Sequence, residues 1–150
     1  MELSTPTASA LDALVELWLE LTSDQRAHGS HLRVTENESQ IRESLSQRLV
    51  VGGVRLARVD DQPVGFTTFY PEQGVFDQDH DRGIIENLYV TAAHRGVGIG
   101  TALLEAAIDA LHEGGADRIA LDVLAANEWA RAFYRDHGFE PHRVEMERRP

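Results

Sequence analysis

The chain has 150 residues, 42% of them hydrophobic, and a formal net charge of −11. At this length folding takes about 70% of the unfolded chain's surface out of water, so a core forms without staples, and the lack of cysteine excludes disulfides, thiol nucleophiles and thiolate metal sites. So acidic a chain does not bind nucleic acid or an anionic membrane through bulk electrostatics.

All 14 basic residues are arginine, which suits a salty cytoplasm or a GC-rich coding sequence equally. Met1-Glu2-Leu3-Ser4-Thr5 has neither a basic start nor a long apolar run, so neither a signal peptide nor a membrane span is expected and a cytoplasmic protein is. With no repeat or linker in view, residues 1–150 read as a single domain.

In chain order, a short strand is expected at 3–5. Leu11, Leu14, Val15, Trp18 and Leu21 recur at helical spacing, which predicts a helix from Ser9 to Arg26 with Ser9 and Asp12 as a capping box. Thr35 and Glu38 form a second such box, and Ile41, Leu45 and Leu49 carry a second helix to about Arg48. Beyond Gly52-Gly53 the period becomes two. Residues 54–59 and 64–70 read as strands joined by an Asp60-Asp61-Gln62-Pro63 turn. A polar loop over 71–82 leads to a third strand at 84–90.

His94-Arg95-Gly96-Val97-Gly98-Ile99-Gly100 then opens a helix whose polar stripe is Glu105, Asp109, His112 and Glu113. Gly114-Gly115 ends it. Ile119 to Leu124 is an almost unbroken apolar run, expected in a sheet covered on both faces. Asn127 caps a short helix through His137, Gly138 stops it, and Val144 to Arg148 alternates as a last strand. The sum is a mixed α/β sheet with helices on both faces.

Chemistry concentrates in residues 83–140. Glycines let backbone approach a ligand, and free N–H groups at a helix N-terminus face an anion, typically a phosphate. No Gly-Lys-Ser/Thr follows, so this is not a P-loop, and its context is not that of a dinucleotide fingerprint. The alternative is a tight turn that binds nothing.

A second pattern, Asn127-x-x-Ala130-x-x-Phe133-Tyr134-x-x-x-Gly138-Phe139, stands at a compatible distance. Together with Arg95-Gly96-Val97-Gly98-Ile99-Gly100, preceded by Glu86-Asn87-Leu88-Tyr89-Val90, it makes the chain resemble the GNAT superfamily of N-acetyltransferases across most of its length. The resemblance implies a GNAT-like fold, a mostly antiparallel central sheet whose central strands splay. It implies acetyl-CoA as co-substrate, with the backbone from Arg95 to Gly100 on the pyrophosphate, Leu88 and Val90 backbone along the pantetheine, and the Asn127 side chain bonded to it.

It further implies direct transfer to an amine in a ternary complex. Glu86 is the candidate base and Tyr134 the acid for the departing thiolate. The plainer alternatives are a sheet carboxylate paired with an arginine, an aromatic that only packs its helix, and an asparagine that is only an N-cap. No metal is expected. His28 and His31 read as surface histidines, and Asp77, Asp79, His80 and Asp81 as a solvated loop. The acceptor, an amine-bearing small molecule, peptide or protein, is expected near Trp18, His28, His31, Tyr70, Glu72 and Asp77. GNAT sheets end in two strands after the Gly-Phe. Residues 140–150 suffice for one, so a homodimer supplying the other is expected. The rival outside catalysis is an acyl-CoA-binding sensor or interaction module that needs neither Glu86 nor Tyr134.

Overall fold

The structure is a computed structural model and describes all residues, 1–150. In chain order it contains β1 (Glu2–Ser4), α1 (Leu11–Arg26), α2 (Glu38–Val50), β2 (Val54–Val59), β3 (Gln62–Pro71), β4 (Arg82–Val90), α3 (Ile99–Glu113), β5 (Arg118–Leu121) and α4 (Glu128–Asp136). The strands form one sheet in the order β1-β2-β3-β4-β5. The first four run antiparallel and β5 joins β4 in parallel.

Helices cover both faces. On one, α1 buries Leu14, Val15, Leu17, Trp18 and Leu21, and with Leu45 of α2 packs on Leu56, Phe66 and Tyr89. On the other, Leu104, Ala107 and Leu111 of α3 meet Phe69 and Ile85, while Leu103 and Ile99 meet Ala57 and Val64. The expected polar stripe of α3 faces solvent.

Local chemistry explains the junctions. Asp60 and Asp61 have φ of 49° and 63°, the positive pair of a type I′ hairpin, so two residues suffice and Gln62 and Pro63 belong to β3. Pro63 sits opposite Arg58, where the ladder shifts register, a place where a strand tolerates a missing N–H. Asn127 Oδ1 accepts from Ala130 N–H at 3.1 Å and caps α4.

Four expectations fail. Neither capping box forms, because the chain enters α1 and α2 through 3-10 turns at Ala8–Ala10 and Thr35–Asn37. Ser9 then bonds Thr7, and Thr35 bonds Glu36. The strand expected to reach Leu124 ends at Leu121 and is only half-buried, because it is the edge strand of the sheet. Trp18 is a core side chain, 6% exposed, and not part of an acceptor surface. Val144 to Arg148 is not a strand: nothing after α4 pairs with the sheet, and Val144 and Met146 are 75% and 89% exposed. Alternation makes a segment fit for pairing, but a strand forms only where the chain is laid along an open edge, and this segment lies along neither edge of the sheet. Glu147 of the tail meets the exposed His31 at 3.0 Å, a surface contact worth little to the fold.

Candidate active site

The sheet opens between its last two strands, β4 and β5. β4 and β5 pair only from Arg82↔Arg118 to Ile85↔Leu121, after which β5 ends and β4 continues to Val90. Thr91 N–H bonds Val64 C=O at 2.8 Å. Groups alternate along an antiparallel ladder, so Tyr89 and Asn87 turn their backbone toward β3. Leu88 and Val90 turn theirs to the side that β5 has left. One of these groups is taken, since Val90 C=O accepts Arg95 Nε at 2.8 Å.

Next comes the glycine loop. Gly96 and Gly98 have φ of +79° and +91°, and a Cβ on either would meet nothing within 4 Å. Backbone N–H groups from Gly96 through Thr101 donate to no group of the chain, the first helical bond of this stretch being Ala102 N–H to Gly98 C=O at 3.1 Å. No acidic residue stands in the first turn of α3. Left-handed glycines, open space and unpaired N–H groups at the positive end of a 15-residue helix make a cradle fit for a phosphate.

Arg95 stands outside that cradle. Its N–H lies 3.5 Å from Ala92 C=O, and its guanidinium bonds Asp24 at 3.0 Å and lies over the Tyr89 ring at 5.5 Å. It splints the end of β4 to α1, and the open N–H run begins one residue later.

Helix α4 is fixed to the start of α3. The Phe133 ring comes within 3.6 Å of where a Gly100 Cβ would stand, and His137 joins Thr101 at 3.2 Å. Tyr134 packs edge-on against Phe133 and Phe139, in the apolar cluster that includes Leu88. Its hydroxyl has no partner within the chain and is not sealed from solvent. Burial pushes its pKa up to about 12, so the phenol keeps its proton below pH 10. Asn127 uses only Oδ1 as the cap, leaving its amide hydrogens to donate.

Glu86 is the extra residue of a β-bulge. Thr68 pairs with Asn87 and Phe69 with Ile85, so Glu86 has no opposite number. A bulge sends two successive side chains to one face. Thr68 Oγ1 donates to Glu86 Oε2 at 3.1 Å and accepts from Asn87 Nδ2 at 2.9 Å. This is the α1–α2 face, where Arg48 of α2 donates from Nε to Glu86 Oε2 at 3.2 Å and lies 4.2 Å from the Tyr70 ring centre. The paired-carboxylate alternative is therefore realised in geometry. Because Tyr134 packs on the α3 face, Glu86 and Tyr134 lie on opposite sides of the sheet, and the gap beyond Ile85 and Leu121 is where chemistry from both faces could meet.

Arg48, Thr68 and Asn87 were missed in the sequence. An arginine late in a helix is common, and nothing in a strand's alternation announces a bulge. Among the expected acceptor residues, Glu72 is tied up by Arg82 at 2.7 and 2.9 Å, and that guanidinium holds its carboxyl below the ordinary range. His31 meets Glu147. His80 lies 3.7 Å from Asp117, which anchors the 72–81 loop to the turn before β5.

The sequence and fold match known proteins. Residues 11–139 match the acetyltransferase (GNAT) family model. Over 58 residues, 39% of each chain, the sequence is 40% identical to N-alpha-acetyltransferase 30 of Schizosaccharomyces pombe, so the match spans well under half of that relative. The fold superposes on a GCN5-related N-acetyltransferase from Ralstonia eutropha with TM-score 0.80 at 23% identity, covering 99% of this chain and 97% of the other. On the PaiA N-acetyltransferase of Thermoplasma acidophilum in complex with coenzyme A it gives TM-score 0.79 at 18% identity, covering 96% and 92%. With six-sevenths of its length inside the family model, the chain belongs to the GNAT acetyltransferase family.

Proposed function

We propose that the protein is an N-acetyltransferase that moves the acetyl group of acetyl-CoA directly to an amine in a ternary complex. The observation that carries this reading is the pair of openings side by side: an N–H cradle at Gly96–Thr101 and an unpaired β4 edge at Leu88 and Val90. The cradle suits the pyrophosphate of the donor, with N–H groups of Gly96, Val97, Gly98, Ile99 and Gly100 in reach. The edge suits the amide-bearing pantetheine, with Leu88 N–H and C=O, Val90 N–H and the Asn127 amide as partners. Acetyl-CoA supplies an activated carbonyl and a thiolate leaving group.

An attacking amine must be neutral, and Glu86 Oε1, which takes part in neither of the bonds to Oε2, is the site for its proton, directly or through water. Tyr134 offers its hydroxyl hydrogen to the sulfur. With a pKa near 12 against about 8.5 for a free thiol, the phenol serves better as a hydrogen-bond donor to the forming thiolate than as the final source of its proton. No cysteine is present to carry the acyl group, in keeping with direct transfer. The acceptor is an amine, and the α-amine named for the yeast relative is one candidate.

The deciding experiment is thermal melting with and without acetyl-CoA at low and high salt. A ligand at a hundred times its Kd adds about 2.7 kcal/mol to the folded state, so a rise of roughly 5–10 °C is expected for a chain of this size. No rise in either salt, with a cooperative melt, would count against the proposal and favour an interaction protein.

Tyr134→Phe is expected to lower kcat about tenfold, the worth of one hydrogen bond to a charged group, while the acetyl-CoA melting shift persists. Steady-state rates on the two proteins give the answer. An unchanged kcat would reduce Tyr134 to packing. Because the hydroxyl stays protonated below pH 10, the wild-type profile should show no loss there traceable to this residue.

We also propose a homodimer. Both ends of the sheet are unpaired edges, and the exposed Val144 and Met146 sit in a segment without a partner strand. Light scattering at two salt concentrations should give twice the 16.7 kDa chain mass. A clean monomer at both would end the idea.

A further inference from the structure

We infer that the acceptor is a zwitterionic α-amino acid, its carboxylate held by Arg48 and its amine presented to Glu86. This rests on the acetyl-transfer reading above and specifies its second substrate.

Arg48 carries the argument. Its side chain is only 23% exposed, its guanidinium is stacked on Tyr70, and Nε is bound to Glu86 Oε2. An arginine has five N–H donors in a rigid fork. In this one the chain uses Nε alone: Nη1 and Nη2 donate to no group of the protein, and neither is sealed from solvent. A mostly buried charge is normally satisfied on all sides. The contrast is Arg82, which spends Nε and Nη2 together on the two oxygens of Glu72. Arg48 keeps its terminal edge free while its position is fixed by a ring and a carboxylate.

Glu86 mirrors this arrangement. Arg48 and Thr68 both bond Oε2, and Oε1 stays free. The ion pair therefore presents free donors and a free acceptor oxygen on two side chains that are themselves joined by a 3.2 Å contact. An α-amino acid likewise carries its ammonium and carboxylate close together, on one carbon. Its carboxylate matches the guanidinium edge with two parallel hydrogen bonds, and its nitrogen then falls beside Oε1, the atom placed to take its proton. A plain amine would leave the donor edge unanswered. An anionic acceptor would meet a chain of net charge −11, whereas a zwitterion carries no net charge.

The test measures CoA release from acetyl-CoA for each standard L-amino acid and for its carboxamide, with wild type, Arg48→Gln and Arg48→Lys. For the preferred acceptor, kcat/KM of the free acid should exceed that of the amide at least tenfold, mainly through KM. In Arg48→Gln this ratio should fall to about one. Arg48→Lys, which keeps the charge but not the fork, should retain only part of it. The acetyl-CoA melting shift of each variant reports folding, and if neither folds the wild-type ratio decides. Amides used as well as acids would overturn the inference while leaving acetyl transfer standing. So would a full preference surviving in Arg48→Gln. Transfer to no amine at all would overturn the proposed activity and the inference with it.

Discussion

Gly98→Glu is expected to abolish CoA binding, an affinity loss of about a thousandfold or more, in a chain that still folds. Gly98 has φ +91° and a Cβ there would point into open space. The fold therefore bears only backbone strain, about 1–2 kcal/mol for an L-residue in the left-handed region, against a typical stability of 5–15 kcal/mol. A carboxylate at the N-cap of α3 would even be welcome to the helix dipole. That is why it displaces the ligand: it answers the same N–H groups that await a phosphate and adds like-charge repulsion worth several kcal/mol. Gly98→Ala, which has the strain without the charge, should bind within about tenfold of wild type. Calorimetric titration with CoA separates the two effects, and unchanged affinity in Gly98→Glu would put the cofactor elsewhere.

For Glu86→Gln, kcat at pH 7 should fall by 10²-fold or more, the usual worth of a positioned base, and the deficit should narrow toward pH 10 as more of the acceptor loses its proton unaided. The fold should tolerate the change, because Gln can still accept from Thr68 and Arg48 and the side chain is one-third exposed. Losing the counter-charge will also alter how Arg48 holds an acceptor, so KM for the amine should shift while KM for acetyl-CoA should not. A kcat equal to wild type at every pH would leave Glu86 as no more than the arginine's partner.

The two substitutions also mark what could and could not be read in the chain. The period-3.6 pattern of α1 and α3, the period-2 pattern of β2 to β4, and the turn and stop residues at Asp60-Asp61, Gly114-Gly115 and Gly138 depend on near neighbours. They placed nearly every element within a few residues. The glycine cradle was legible for the same reason: it is contiguous, and positive φ at Gly96 and Gly98 is a local demand met by a residue type. Asn127 and the Phe133-Tyr134 pair were legible as a motif at fixed spacing. The sequence by itself thus determined the fold class, the family and the place of the left-handed glycine turn before α3.

The tertiary structure decided what depends on residues far apart in the chain. Arg48 meets Glu86 across 38 positions, and Arg95 turns away from the cradle to Asp24 across 71; no spacing rule encodes either. Glu86 turns to the α1–α2 face beside Asn87 because β3 and β4 differ by one residue in register. That is a property of two strands together, and alternation along either cannot show it. The tail residues Val144 and Met146 have the pattern of a strand but do not pair with the free outer edge of β5, and which edge a segment reaches is not written in its alternation. Side-chain chemistry is local and can be read along the chain. Which charge faces which, and which edge stays open, is settled only when the sheet closes around its core.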